Sequence, residues 1–214
     1  MALHVSTSRS EAEDKAIEDG NAYRRRLIEG LEASLAEKNF QRTTIADIVR
    51  HAHTSRRTFY QYFETKQACL LALHKQASQD EIAAVAAAVD HTMPWQVQIR
   101  QATEAWIDFV DTRPALMLSW IQDIPLLGEA GAELHREGTD AFINTIQAIC
   151  NSNEFRVAGG SPISRTRALV LVGGIERLAA ETVQRGRKLA TYTDEAVQAA
   201  LALMTTQEPS GPLP

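Results

Sequence analysis

With 214 residues, 44% of them hydrophobic and 23% charged, the chain can bury one sizeable core or two small ones, which excludes a disordered polymer. No apolar run approaches the roughly 18 residues of a membrane span, and the opening MALHVSTSRSEAEDKAIEDG is acidic where a secretion signal needs an apolar stretch, so a cytoplasmic protein with no membrane partner is expected. The net charge of −5 argues against nucleic acid until it is divided along the chain: residues 21–66 hold nine Lys/Arg against five Asp/Glu, and both flanks are acidic. Such a block draws phosphate to one face while the remaining surface repels it, although an ordinary solvated basic face would show the same charge.

Helical periodicity dominates and no alternating apolar run marks a strand, so the fold class is all-α. Residues 1–20 form a polar lead-in expected to be flexible, and the Pro/Gly/Ser-rich end, residues 207–214, a flexible tail. A first helix is predicted over Asn21–Lys38, with Leu27, Ile28, Leu31 and Leu35 on one face and Asn39 as a left-handed C-cap. A second starts at Thr43 or Thr44, where Asp47 completes a capping-box pattern, and carries Ile45, Ile48, Val49 and Ala52 at helical spacing. Ser55 caps a short third helix with Phe59 and Phe63 on one face, and Thr65 caps a long fourth helix, Lys66 to about Val89. Prolines 94, 114, 125 and 162 divide the remainder into helices near Trp95–Thr112, Ala115–Ile124, Gly131–Cys150, Pro162–Arg185 and Asp194–Met204. The predicted domains are residues 21–66 and 67–206.

Two short helices joined by a tight turn and followed by a long helix make a helix-turn-helix, here Thr43–Lys66. The start of the third helix presents Arg56, Arg57 and Thr58; a guanidinium can bond both acceptors of a guanine edge and a threonine can meet a thymine methyl. Thr44, Ser55, Tyr60, Tyr62 and Lys66 offer hydroxyl, amide and ammonium donors that would hold phosphates and fix register. His51 and His53 are expected to be incidental surface residues, and Phe63 a core residue.

The segment resembles the TetR family over about residues 24–75, on Thr43-Thr44-Ile45, Asp47-Ile48, Ala52, Ser55, Thr58, Tyr60, Tyr62-Phe63 and Lys66. It departs from that pattern at His53, where the family usually has a turn glycine, and at Thr54, Arg57 and Phe59; a left-handed His53 would carry mild strain. The resemblance implies an N-terminal three-helix DNA-binding unit and a C-terminal helical bundle that binds a small-molecule effector and forms a homodimer. Its implied partners are a palindromic double-stranded DNA operator, the effector and a second copy of the chain, with release of the operator on effector binding and the fourth helix as the moving element. Trp106, Phe109, Met117, Trp120, Phe142 and Glu176, with Asp108 and Gln122, are the candidate effector residues; Gly173, Gly174, Val197, Leu201 and Met204 are the candidate dimer face.

No Gly-rich phosphate loop, nucleophile elbow or metal-ligand spacing occurs, so neither an enzyme nor a cofactor is expected. Cys69 and Cys150 lie in apolar stretches as buried thiols, a redox pair being the alternative. The competing function is a dimeric helical interaction module that does not bind DNA specifically.

Overall fold

The computed structural model describes residues 4–204, with side chains from Gly20 onward. Every described element is helical, and the chain divides into two compact units, Met1–His74 and Lys75–Pro214. The predicted tail, residues 207–214, lies outside the described residues.

The first unit holds α1 (His4–Glu37), α2 (Ile45–His51), α3 (Arg56–Tyr62) and the start of α4 (Lys66–Ala88). The first helix begins well before Asn21, through residues expected to be a flexible lead-in; Glu11, Ala12, Glu13, Lys15 and Ala16 are strong helix formers, and no glycine or proline interrupts the run before Gly20. Asn39 is not a left-handed C-cap: at φ −65°, ψ 162° it is extended, and its side chain caps a 3-10 turn, Phe40–Arg42, by accepting from the Arg42 amide. Leu27, Ile28, Leu31 and Leu35 of α1 are buried with Ile48, Val49, Ala52, Phe59, Phe63, Cys69, Leu70 and Leu73. Gly30 allows α1 and α2 their close approach, because a Cβ there would stand 2.6 Å from the Ile48 carbonyl oxygen. The unit therefore ends at His74, eight residues beyond the boundary expected at Lys66, since the first turns of α4 bury their apolar side chains in it.

The second unit continues α4 and adds α5 (Trp95–Thr112), α6 (Pro114–Gln122), α7 (Glu129–Cys150), the short α8 (Asn153–Val157), α9 (Arg165–Gln184) and α10 (Thr193–Met204). Helix α9 starts at its Ser164 cap rather than at Pro162, and α8 was not predicted; five residues around Phe155 are too few to show a periodicity. One apolar cluster gathers Ile99, Ile143, Phe155, Leu171 and Met204, and another gathers Val85, Trp106, Ile107, Val110 and Ala179. Asp111 ties α5 to the 3-10 turn Leu189–Tyr192, its carboxylate accepting from the Leu189 amide at 2.8 Å and the Ala190 amide at 3.0 Å.

Candidate nucleic-acid interface and ligand pockets

Local caps set the helix-turn-helix. The Thr44 hydroxyl accepts from the Asp47 amide at 3.3 Å, and the Asp47 carboxylate accepts in return from the Thr44 amide at 2.9 Å. Lys38, 2.8 Å from Asp47, and the Thr44 donors hold that carboxyl well below the usual carboxylate range. Ser55 caps α3 by accepting from the Thr58 amide at 3.1 Å. Between the two helices His53 takes φ 49°, the only non-glycine residue with positive φ among the described residues, and its carbonyl accepts from Arg26 at 3.0 Å.

Buried Phe59 and Phe63 seat α3, with their rings 5.8 Å apart, which turns the opposite face outward. Arg56 and Arg57 are exposed at its first turn, and Tyr60 is 59% exposed. Among the described residues, neither arginine enters an ion pair, whereas Lys38 is held by Asp47 and Arg50 by Glu37 at 3.1 Å. Glu37 also meets His51 at 3.3 Å, and Arg50 is the first cause of its lowered pKa. Two guanidinium groups at the positive end of a helix are mildly unfavourable there, which leaves them disposed toward an external acceptor.

The remaining candidates separate by what their polar atoms already do. Thr58 is half-buried, and its hydroxyl lies 2.9 Å from that of Ser55, so both hydroxyls are occupied within the α3 cap. The Tyr62 hydroxyl lies beside Gly20 of α1. Lys66 turns inward: its ammonium donates to the Phe40 carbonyl at 2.9 Å and the Thr43 carbonyl at 2.8 Å, and sits 4.4 Å from the Phe40 ring centre. Its first role is thus to hold the start of α4 to the loop ahead of α2. Sequence spacing cannot show this, because the partners stand 23 and 26 positions away.

In the second unit the six predicted effector residues do not form one site. Trp106 and Phe142 line a largely apolar cavity of about 60 Å³, together with Gln98, Ile99, Ala102, Thr103, Thr145, Ile146, Cys150 and Ile175. Met117, Trp120 and Glu176 line a different, open pocket of about 660 Å³ with His135, Arg136 and Gly173. Trp120 stacks on His135 at 5.2 Å, and burial raises the Glu176 carboxyl against a smaller opposing effect of His135. Phe109 lines neither; it packs under Arg113, whose guanidinium lies 4.7 Å from its ring centre. Helical spacing put these side chains on common stripes, but α5, α6, α7 and α9 each have more than one packed neighbour.

The residues of the predicted dimer face differ in exposure. Val197 and Met204 are 1% and 5% exposed, and Met204 belongs to the apolar cluster of this same chain. Leu201 packs half-buried against that cluster. Gly173 and Gly174 do lie on the surface, where added Cβ atoms would meet nothing within 4 Å, beside Leu169 and Val170, which are 50% and 56% exposed. The open stripe is therefore on α9, because α10 spends its apolar side on its own unit.

Cys69 and Cys150 are buried free thiols, pushed up to about 12 and about 11 respectively by desolvation, which makes both poor thiolates. No helix among the described residues is long and apolar enough to cross a membrane.

Residues 27–73, spanning the capped helix-turn-helix and the start of α4, match the family model of bacterial regulatory proteins of the tetR family. Over most of its length the chain resembles solved structures in fold. A TetR transcription regulator from Haloarcula marismortui shares 14% identity over 86% of this chain and 98% of its own, with a TM-score of 0.72. FadR from Bacillus subtilis, solved in complex with stearoyl-CoA, shares 14% identity over 86% and 99% of the two chains at a TM-score of 0.70. FadR from Thermus thermophilus, a repressor solved in complex with lauroyl-CoA, shares 20% over 89% and 100% at 0.62. Among curated proteins none is significantly similar in sequence.

Proposed function

We propose that this protein is a transcriptional regulator that acts in the cytoplasm as a homodimer, placing α3 of each copy in successive major grooves of a palindromic operator, the half-sites about 34–36 Å apart. The observation that carries this reading is the pair Arg56 and Arg57, exposed at the start of a capped recognition helix and outside any ion pair among the described residues. Arg57 and Arg56 read guanine edges, Tyr60 reaches a phosphate or base, and amides near the α2 cap at Thr44 receive the backbone. Ser55, Thr58 and Tyr62 support that surface, and Lys66 stabilises the unit behind it.

The homodimer forms through the exposed α9 stripe Leu169, Val170, Gly173 and Gly174, where two glycines let a partner helix approach closely. A small-molecule effector enters the second unit and lowers operator affinity, and α4 conveys the change because one continuous helix, Lys66–Ala88, contributes residues to both units. Repression relieved by a ligand accords with the T. thermophilus FadR repressor and its lauroyl-CoA complex.

Selection of genomic fragments by the purified protein, at physiological salt, should recover one palindromic site. Arg57→Ala should weaken that site by about 1–3 kcal/mol and relax base preference at one position of each half-site. Recovery of only salt-sensitive, sequence-blind binding would refute specific recognition. Leu169→Arg should sediment as a monomer, and an intact dimer would place the interface elsewhere.

A further inference from the structure

The 60 Å³ cavity of the second unit has an uneven polar lining. Gln98, on its wall, is wholly buried in α5. Its amide nitrogen donates to the Met93 carbonyl at 2.8 Å and the His91 carbonyl at 3.4 Å. Those two acceptors fix which way the amide faces, since the reverse orientation would oppose oxygen to oxygen. Its Oε1 is left buried with no hydrogen-bond partner.

The other polar groups on the wall have their hydrogens committed. The Thr103 hydroxyl donates to the Ile99 carbonyl at 2.8 Å, and the Thr145 hydroxyl donates to the Ala141 carbonyl at 2.9 Å. The Trp106 indole is hydrogen-bonded to Glu81, which leaves the Cys150 thiol as a weak donor. Among the lining residues none carries a charge. The cavity therefore offers acceptors and almost no donors. A carboxylate, a phosphate or a thioester carbonyl would lose its water there and find nothing to bond, whereas an O–H would satisfy the orphaned amide oxygen.

We propose that this cavity binds a small, neutral, largely apolar alcohol or phenol, whose hydroxyl donates to Gln98 Oε1. The inference deepens the effector reading above and rests on it for its regulatory meaning, though not for the binding itself. The void is smaller than the roughly 150 Å³ of an engineered apolar cavity that takes benzene, so one ring enters as the half-buried side chains on the wall, Phe142 and Ile146, turn aside.

The test uses phenol, fluorobenzene and benzoate, three one-ring probes with a donor, without a donor, and with a charge, each titrated by NMR against the full-length protein without DNA. Phenol should bind and benzoate should not. The affinity ratio of phenol to fluorobenzene should fall at least about tenfold in Gln98→Leu, which keeps the apolar wall but removes the acceptor. Ala102→Leu, which fills the void from its wall, should abolish phenol binding, and it localises the site even if the Gln98 variant does not fold. Binding of benzoate as tight as that of phenol, a ratio unchanged in Gln98→Leu, phenol binding that survives Ala102→Leu, or no binding of phenol would each overturn the inference. Operator release is measured separately: phenol that binds as described but leaves DNA affinity unchanged would uphold the site and sink the effector reading.

Discussion

Replacing Lys66 by methionine separates two roles that its position at the end of the helix-turn-helix makes equally natural. If the ammonium serves a DNA phosphate, its loss costs affinity and leaves the free protein intact. The structure instead engages it with the carbonyls of Phe40 and Thr43 and the face of the Phe40 ring. A charged donor to a carbonyl contributes about 1.5 kcal/mol at the lower end of its range, which suits a half-buried site. The ring contact adds about 0.5–1 kcal/mol. Release of the lysine side chain returns about 1.5 kcal/mol of conformational entropy. The net expectation is a loss of about 2 kcal/mol, while the methionine still covers Phe40 with its unbranched stem. Amide hydrogen exchange in α2, followed in the absence of DNA, should then accelerate about 30-fold, because each 1.4 kcal/mol of opening free energy is a factor of ten. The slope of log affinity for the operator against log salt should stay unchanged. Unchanged exchange together with a slope flatter by about 0.9 would show a phosphate contact and refute the reasoning.

Other substitutions probe the backbone and the buried acid of the second unit. Gly30→Ala should lower stability by about 2 kcal/mol despite the better helix propensity of alanine, since the new methyl meets the Ile48 carbonyl and the Ala52 amide rather than a side chain that can swing away; an unchanged melting temperature would mean α1 and α2 separate freely. His53→Gly should raise the urea midpoint, with a gain in unfolding free energy of up to about 1 kcal/mol, because a histidine at φ 49° carries left-handed strain that glycine escapes, less the entropy glycine loses on folding. Burial is the main cause that pushes Glu81 up to about 7 from an ordinary 4.5, with Glu176 adding to it and the Trp106 hydrogen bond opposing it. The folded state therefore holds this proton more tightly than the unfolded chain, so the stabilisation is complete below about 4.5 and is lost as pH rises through 7. Glu81→Gln keeps an acceptor for Trp106 and should flatten the fall in melting temperature between about pH 4.5 and 7, a span worth up to about 3 kcal/mol at 1.4 kcal/mol per unit; an identical pH dependence in the variant would exclude Glu81 as its source.

The sequence by itself determined the helical class, the capped turn and the exposed arginines, because those features are decided within three or four residues. Thr44 with Asp47, Ser55 with the Thr58 amide, and the Leu27–Leu35 stripe are all i, i+3 or i, i+4 relations, which survive any tertiary arrangement. The left-handed turn at His53 was implied by the family resemblance, since His53 stands where that pattern has a turn glycine, and His53 takes φ 49°.

Only the tertiary structure decided which partner each polar or apolar face meets. Lys66 points at carbonyls from an earlier loop, Gly30 faces the backbone of α2, and Met204 and Val197 turn into their own unit while Gly173 and Gly174 stay outside. Five of the predicted effector residues are divided between a small apolar cavity and an open pocket, Phe109 lines neither, and Gln98, a glutamine in a predicted helix with nothing in its neighbours to single it out, is a buried residue with an unsatisfied oxygen. An apolar stripe states that a helix face must be covered; it does not carry the identity of the cover, because burial is non-directional and many neighbours would satisfy it. Hydrogen bonds are directional, and these long-range ones exist only once packing has brought distant donors and acceptors within about 3 Å.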